Sequence, residues 1–386
     1  MKPIYSAKPI ATEEALAAAL GMDLSVLRRL ADKADNSYTT FPIPKKNSHV
    51  TRDVVGPDHN LKQVQKRINR AIFSRINYPT FLYGGLPGRD YLGNARLHSG
   101  SGALIALDIK NFYPSIGDRC VKNIFKHFFR FSDSVAVILT KLTTLDGRLP
   151  QGACTSSYIA NLVFWELEGR IVSEFARKGW KYSRLLDDIC ISTETEFSKK
   201  SIDLVIGKVS AMVGSQGLKL NAKKTRVSRR ANPADPMTVT GLRVNSGAPK
   251  VSREDRAAIR SEIRRCELSS GVSRTDAAYH EQYNKVSGKV ATLAYVGHSV
   301  HNARHRLQAI LPYYDGPDIV KTKRLVRYVC SAPQEHRSKR AYVDRYFKVM
   351  YRLNIVARTH DSLARQLRST LRSAVPLVTR EKLNYG

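Results

Sequence analysis

Residues 182–192 read YSRLLDDICIS. Adjacent Asp187 and Asp188 stand between Leu, Ile and Cys side chains that favour burial, so the two carboxylates repel each other and lose hydration unless cations neutralise them. A strand, a turn carrying the aspartates and a second strand reconcile the two demands. Asp pairs are also ordinary turn formers, because the side chain bonds its own backbone. The pair therefore implies chemistry only if the rest of the chain supplies partners. Residues 102–116, GALIALDIKNFYPSI, supply one: a short apolar run ends on Asp108 and passes into an aromatic, proline-containing turn. This reads as a buried strand delivering a carboxylate at its end. If the two segments pair in one antiparallel sheet, Asp108, Asp187 and Asp188 converge. Three such carboxylates suffice to hold two Mg²⁺ about 3.5–4 Å apart for phosphoryl transfer.

Composition points to a polyanionic partner. The 386 residues include 64 Lys and Arg against 33 Asp and Glu, a formal net charge of +31, which makes nucleic acid the first suspect. An anionic membrane would gather the basic residues in one amphipathic segment or beside a lipid anchor, whereas here they run through the whole chain. At 42% hydrophobic and 25% charged the chain has the balance of a globular protein with a sizeable core. Cys120, Cys154, Cys190, Cys266 and Cys330 are far apart and form no CxxC or Cys/His cluster, so neither a disulfide framework nor a zinc site is indicated. Glu13 and Glu14 interrupt the apolar run a secretory signal needs, and no stretch approaches the roughly 20 apolar residues of a membrane span. The expected location is the reduced cytoplasm.

The pattern along the chain suggests three parts. Thr12 before Glu13 and Glu14 starts a short helical extension over 1–34. Residues 35–240 hold the mixed helix and strand segments: a hairpin in FPIPKKNSHVTR with Lys45, Lys46 and Asn47 at its tip, helical spacing over 119–141, 155–178 and 201–217, and a strand in MTVTGLRVN. Residues 241–386 are basic and helical. There Ser252 and Asp255 open a helix with Arg260 and Arg264 on a different face from Ile259, Ile263 and Cys266. Further on, KTKRLVRYV, with Lys323, Arg324 and Arg327, and HRSKRAYVDRYFKVMYRL interleave cations with aromatic rings, a mixture that meets RNA by phosphate contact and base stacking.

Taken in order, these segments resemble the reverse transcriptases. YSRLLDDICIS resembles the family's YxDD hairpin, LDIKNFYPSI its first metal-binding strand, QGACTSSYIANLVF its QGxxxSPxxANL segment, FPIPKKNSHVTR its fingers hairpin, and LKLNAKKTRV its Asn-x-x-Lys-Thr segment. NARLH at 94–98 and VTGLRVN at 239–245 resemble the NAxxH and VTG motifs of the bacterial retron enzymes. The chain departs from the pattern at Leu185, where the family has tyrosine, and at Cys154 and Ser157, where it has prolines.

The resemblance implies an α+β right-hand polymerase, with fingers and palm followed by a helical thumb, that copies RNA into DNA with two Mg²⁺ ions. It implies Asp108, Asp187 and Asp188 as catalytic metal ligands. Lys46 and Arg52, with Lys45 assisting, would hold the incoming dNTP, Tyr113 would exclude a ribose 2′-OH, Gln151 and Gly152 would line nucleotide and template, and Lys224 would stand behind the site. Asn94 and His98 are expected among the RNA contacts with Arg260, Arg264, Lys323, Arg324 and Arg327, although a lone histidine is commonly a satisfied structural residue. The implied partners are a cognate structured non-coding RNA, its covalently joined DNA product (msDNA) and, in anti-phage defence, a separate effector protein. Two alternatives stay open. One is another bacterial reverse transcriptase, of group II intron or other defence type, which NARLH and VTGLRVN argue against. The other is a catalytically weak RNA-binding scaffold, which Leu185 keeps in play.

Overall fold

The structure, a computed structural model, describes residues 2–44, 51–232, 234–380 and 383. The chain divides after Pro249 into two compact units. The first opens with α1 (Glu13–Ala19) and α2 (Leu24–Asp32). Thr12 and Asp23 cap them, their side-chain oxygens accepting from the N–H groups of Ala15 at 3.2 Å and Ser25 at 2.9 Å, which satisfies donors that a helix start leaves open. Leu16, Leu20 and Leu27 join the same buried core as the central sheet. The first 34 residues are therefore part of this unit and not a separate extension.

Along the chain follow the hairpin strands β1 (Tyr38–Pro44) and β2 (Thr51–Pro57), then α3 (His59–Ala71), α4 (Tyr91–His98), β3 (Ala103–Asp108), α5 (Asp133–Thr143), α6 (Ser156–Leu162) and α7 (Glu168–Arg177). Next come β4 (Lys181–Leu185), β5 (Asp188–Thr193), α8 (Lys199–Gly214), β6 (Arg226–Arg229) and a small hairpin of β7 (Thr238–Val239) and β8 (Leu242–Arg243). The helix expected over 155–178 is two, α6 and α7. That expected over 119–141 breaks before α5, where Arg130 takes a positive φ of 58°.

Four strands form one antiparallel sheet in the order β4-β5-β3-β6. Side chains alternate across it with period two. Ile105, Leu107, Tyr182, Ile189 and Ile191 face the helices and are buried, while Ala106, Asp108, Leu185, Asp188, Cys190 and Arg226 line a cleft on the other face. The apolar run of β3 thus carries core residues at odd positions and delivers Asp108 on the cleft face.

The second unit is helical: α9 (Arg253–Val272), α10 (Ala277–Val296), α11 (His301–Ala309), α12 (Gly316–Cys330), α13 (Arg340–Val356) and α14 (Asp361–Leu371). Ser252 caps α9, its Oγ accepting from Asp255 N–H at 2.9 Å. Ile263 and Cys266 pack on Tyr279, Val286 and Leu293 in one core, and Val326, Val329, Tyr346 and Leu353 form another. No described helix is long and apolar enough to cross a membrane.

Candidate active site

The turn that carries the acidic pair is built by its neighbours. Strands β4 and β5 are joined through Leu186 and Asp187, and Leu186 takes a left-handed φ of 60°, a conformation that costs an L-residue energy and persists only where surroundings enforce it. Two surroundings do so. Gly84 lies so close that a Cβ there would stand 2.4 Å from Leu186 Cγ and 2.7 Å from its nitrogen, so only glycine fits. On the core side Arg184, wholly buried, donates to the Leu186 carbonyl at 3.2 Å, to Asn161 O at 3.0 Å and to both carboxylate oxygens of buried Glu168 at 2.5 and 2.8 Å. Tyr182 Oη also donates to Glu168 at 2.8 Å. The guanidinium thus ties the catalytic-type turn to α6 and α7.

On the cleft side the register places Asp108 directly opposite Asp188, and Ile109 N–H donates to Asp187 O at 3.0 Å. The three aspartates named from the sequence therefore meet at one end of the sheet. Burial first, and then the charges of Asp187 and Asp108, push the Asp188 carboxyl up to about 6. Lys224 Nζ donates to Asp108 Oδ2 at 2.8 Å and Asn221 Nδ2 to Asp108 Oδ1 at 3.1 Å. That hydrogen bond, with the nearby carboxylates, raises the Lys224 pKa.

Among the described residues no three ligand-type side chains already close on one metal position, and Asp108 is engaged by Lys224 and Asn221. The donor chemistry nonetheless fits a hard divalent cation: carboxylate oxygens from two strands, where burial and then the neighbouring carboxylates lift Asp188 out of the usual range. Added positive charge at this point would reverse that rise.

Other expected residues fall in two groups. Tyr113 stands half-buried near Asp187, and burial and then that charge push its phenol up to about 12, so it remains neutral. Gln151 and Gly152 sit against the β1–β2 hairpin: Val55 N–H donates to Gln151 O at 2.9 Å, and a Cβ on Gly152, whose φ is 121°, would meet Val55 O at 2.4 Å. Lys45, Lys46 and the Arg52 side chain lie outside the described residues.

Asn94 and His98 are corrections. Both are completely buried, so neither offers a surface to RNA. His98 is bonded on both ring nitrogens, Nδ1 to Ser192 Oγ at 2.8 Å and Nε2 to Ser183 Oγ at 2.7 Å. It clamps α4 onto β4 and β5, and burial first, then Lys181, lowers its pKa to about 3. The expected single strand in MTVTGLRVN is the β7–β8 hairpin, because Thr240 and Gly241 both take positive φ, 48° and 83°, as a two-residue turn of this hand requires. Nothing lies within 4 Å of where a Gly241 Cβ would be, so this glycine serves the turn and not a close approach. Thr240 Oγ1 donates to Tyr91 O at 3.0 Å, which joins this hairpin to the helix carrying NARLH. In the second unit Arg260, Arg264, Arg324 and Arg327 are exposed and Lys323 is half-exposed.

Sequence reasoning missed Asn221, Arg184 and Glu168. Asn221 had a signal, standing in the same Asn-x-x-Lys-Thr segment as Lys224. The pairing of Arg184 with a carboxylate 16 residues earlier had none.

Comparisons with known proteins give sequence matches over most of the chain. Residues 43–252 match the family described as reverse transcriptase (RNA-dependent DNA polymerase). The chain is 36% identical to the Retron Se72 reverse transcriptase of Salmonella heidelberg (strain 579083-10), over 97% of this chain and 99% of that one. It is 29% identical to the Retron Ec48 reverse transcriptase of Escherichia coli, over 96% and 94%. Among solved structures, a telomerase from Candida albicans in complex with a fragment of telomeric RNA aligns with a TM-score of 0.41 at 11% identity, over 89% of this chain and 66% of that one.

Proposed function

We propose, since this chain belongs to the bacterial retron reverse transcriptases and is thus an RNA-directed DNA polymerase of right-hand fold, that it copies part of a cognate structured non-coding RNA into DNA that stays joined to that RNA. The observation that carries the chemistry is the strand register that sets Asp108 opposite Asp188 with Asp187 at the adjoining turn. Asp108, Asp187 and Asp188 would hold two Mg²⁺, which when bound supply activation of the attacking hydroxyl and charge stabilisation at the leaving phosphate. Lys224 and Asn221 hold the Asp108 carboxylate in place. Tyr113, a neutral ring near Asp187, fits the part of excluding a ribose 2′-OH. Gly152 seats the Gln151 turn against β2, fixing one wall for nucleotide and template. Lys46 and Arg52 take the triphosphate.

Priming falls to the 2′-OH of a guanosine in the cognate RNA, which makes the product branched. The same reading places the protein in the cytoplasm, in anti-phage defence with a separate effector protein. Its support is family membership together with the bond from the VTG hairpin to the helix that carries NARLH, Thr240 to Tyr91. The test is the nucleic acid that copurifies: a short DNA separable from RNA only after debranching is expected, and DNA with a free 5′ end overturns the retron reading. A second reading, a catalytically weak RNA scaffold, is favoured by Leu185, an aliphatic side chain lining the cleft beside Asp188 where the family places tyrosine.

A further inference from the structure

A second cleft, of about 470 Å³, lies wholly within the helical unit, lined by α9, α11, the loop at 298–300 and Leu293 of α10. Arg256, Ile259, Arg260 and Ile263 recur at helical spacing and present one face of α9 to it, so that Arg260 shares a face with the two isoleucines, contrary to the separation expected from the sequence. Ile259 and Ala303 are half-buried over the buried Ile263 and Leu293, whereas Arg260 is exposed; the cleft therefore has an apolar floor and a cationic rim. Two of its walls are fixed by bonds within the unit. Val251 N–H donates to His298 Nε2 at 3.0 Å, and Arg306 is clamped on Glu267 by two bonds of 2.6 and 2.7 Å. Such tethering forms a site before any ligand arrives and lowers the ordering cost of binding. No acidic side chain occurs among the described lining residues, and the Glu267 carboxylate behind the cleft is bonded to Arg306.

We propose that this cleft takes one unstacked nucleotide of the RNA bound by the protein, with the base on Ile259 and Ala303 and the phosphate on Arg256 and Arg260. A phosphate alone would leave the apolar floor unused, and an apolar ligand alone would leave the rim cations without an anion. A nucleotide satisfies both, as unpaired RNA bases splayed from loops and bulges do elsewhere. The volume lies within the range of about 300–1,000 Å³ typical of small-ligand pockets. The inference rests on RNA being the partner, and it adds a reading site distant in sequence from the catalytic carboxylates.

The test uses the full chain and measures binding of single-stranded homohexamers of A, C and U, an abasic ribose-phosphate hexamer, and inorganic phosphate as competitor. At least one homohexamer is expected to bind about fivefold or more tighter than the abasic hexamer, the gain from burying a base face on aliphatic side chains. Ala303→Trp, which fills the cleft, and Arg260→Glu, a change at an exposed position that leaves the core untouched, are each expected to abolish that preference. Equal binding of base-bearing and abasic hexamers overturns the proposal, and so does a preference that survives both substitutions. Primer extension by the unaltered chain is judged separately: its absence would refute the polymerase reading, whereas missing base dependence refutes only this cleft.

Discussion

Replacing His98 by Gln isolates the cost of a buried, neutral imidazole. In the folded chain His98 is wholly enclosed between Ser183 and Ser192 with its pKa lowered to about 3, against 6.5 for the exposed ring. Its folded pKa is depressed, so the stability it contributes is complete above about 6.5 and is lost as pH falls, because the unfolded chain takes up the proton first. Each pH unit below 6.5 costs about 1.4 kcal/mol, which comes to roughly 2 kcal/mol between pH 7 and pH 5. The Gln variant has no such proton to bind. Both tryptophans, Trp165 and Trp180, lie in the first unit, so urea unfolding followed by tryptophan fluorescence reports on the unit that holds His98. The expected result is that the wild-type chain loses about 2 kcal/mol more than His98→Gln over that interval. Groups common to both chains cancel in the difference, including Asp188, whose raised pKa of about 6 works in the opposite direction. Parallel pH profiles would show that His98 titrates normally and that the clamp described here is wrong.

Asp188→Asn removes a carboxylate held at about 6 rather than 3.8; at pH 7, above the folded pKa, keeping it ionised costs on the order of 2–3 kcal/mol, so in EDTA the variant should melt several degrees higher by scanning fluorimetry, and a lower midpoint would contradict this. Arg184→Met leaves Glu168 buried with Tyr182 as its remaining side-chain donor among the described residues, which should cost about 3–5 kcal/mol in urea unfolding, and adding Glu168→Leu should restore most of it. Gly152→Ala places a methyl against Val55 O at a φ of 121°; with the fold intact, kcat/KM for dNTP should fall roughly tenfold to a hundredfold as the turn shifts off β2.

The sequence disclosed elements whose signal is local. The apolar run ending on Asp108 and the alternating residues around Asp187 and Asp188 specify strands by themselves, and their pairing followed once both were placed in one sheet. Caps such as Thr12 and Ser252 were equally legible, because a side-chain oxygen three residues before its N–H partner is a property of adjacent residues. What escaped depends on long-range burial. Asn94 and His98 have the look of RNA contacts in a basic chain, yet α4 turns both inward, His98 onto serines more than 80 residues away. Arg184 reads as one more cation among 64 until the fold buries it against Glu168. In VTGLRVN the β-branched residues suggested a continuous strand, and the turn chemistry of Thr240-Gly241 prevailed over that propensity.

The central claim is that Asp108, Asp187 and Asp188 act as one centre for metal-dependent DNA synthesis on RNA. Extension of oligo(dT) on poly(rA) with dTTP and Mg²⁺ tests it most directly. The wild-type chain should extend the primer and Asp187→Asn should not, at equal fold stability. Extension by Asp187→Asn at the wild-type rate, or none by the wild-type chain, would contradict the claim.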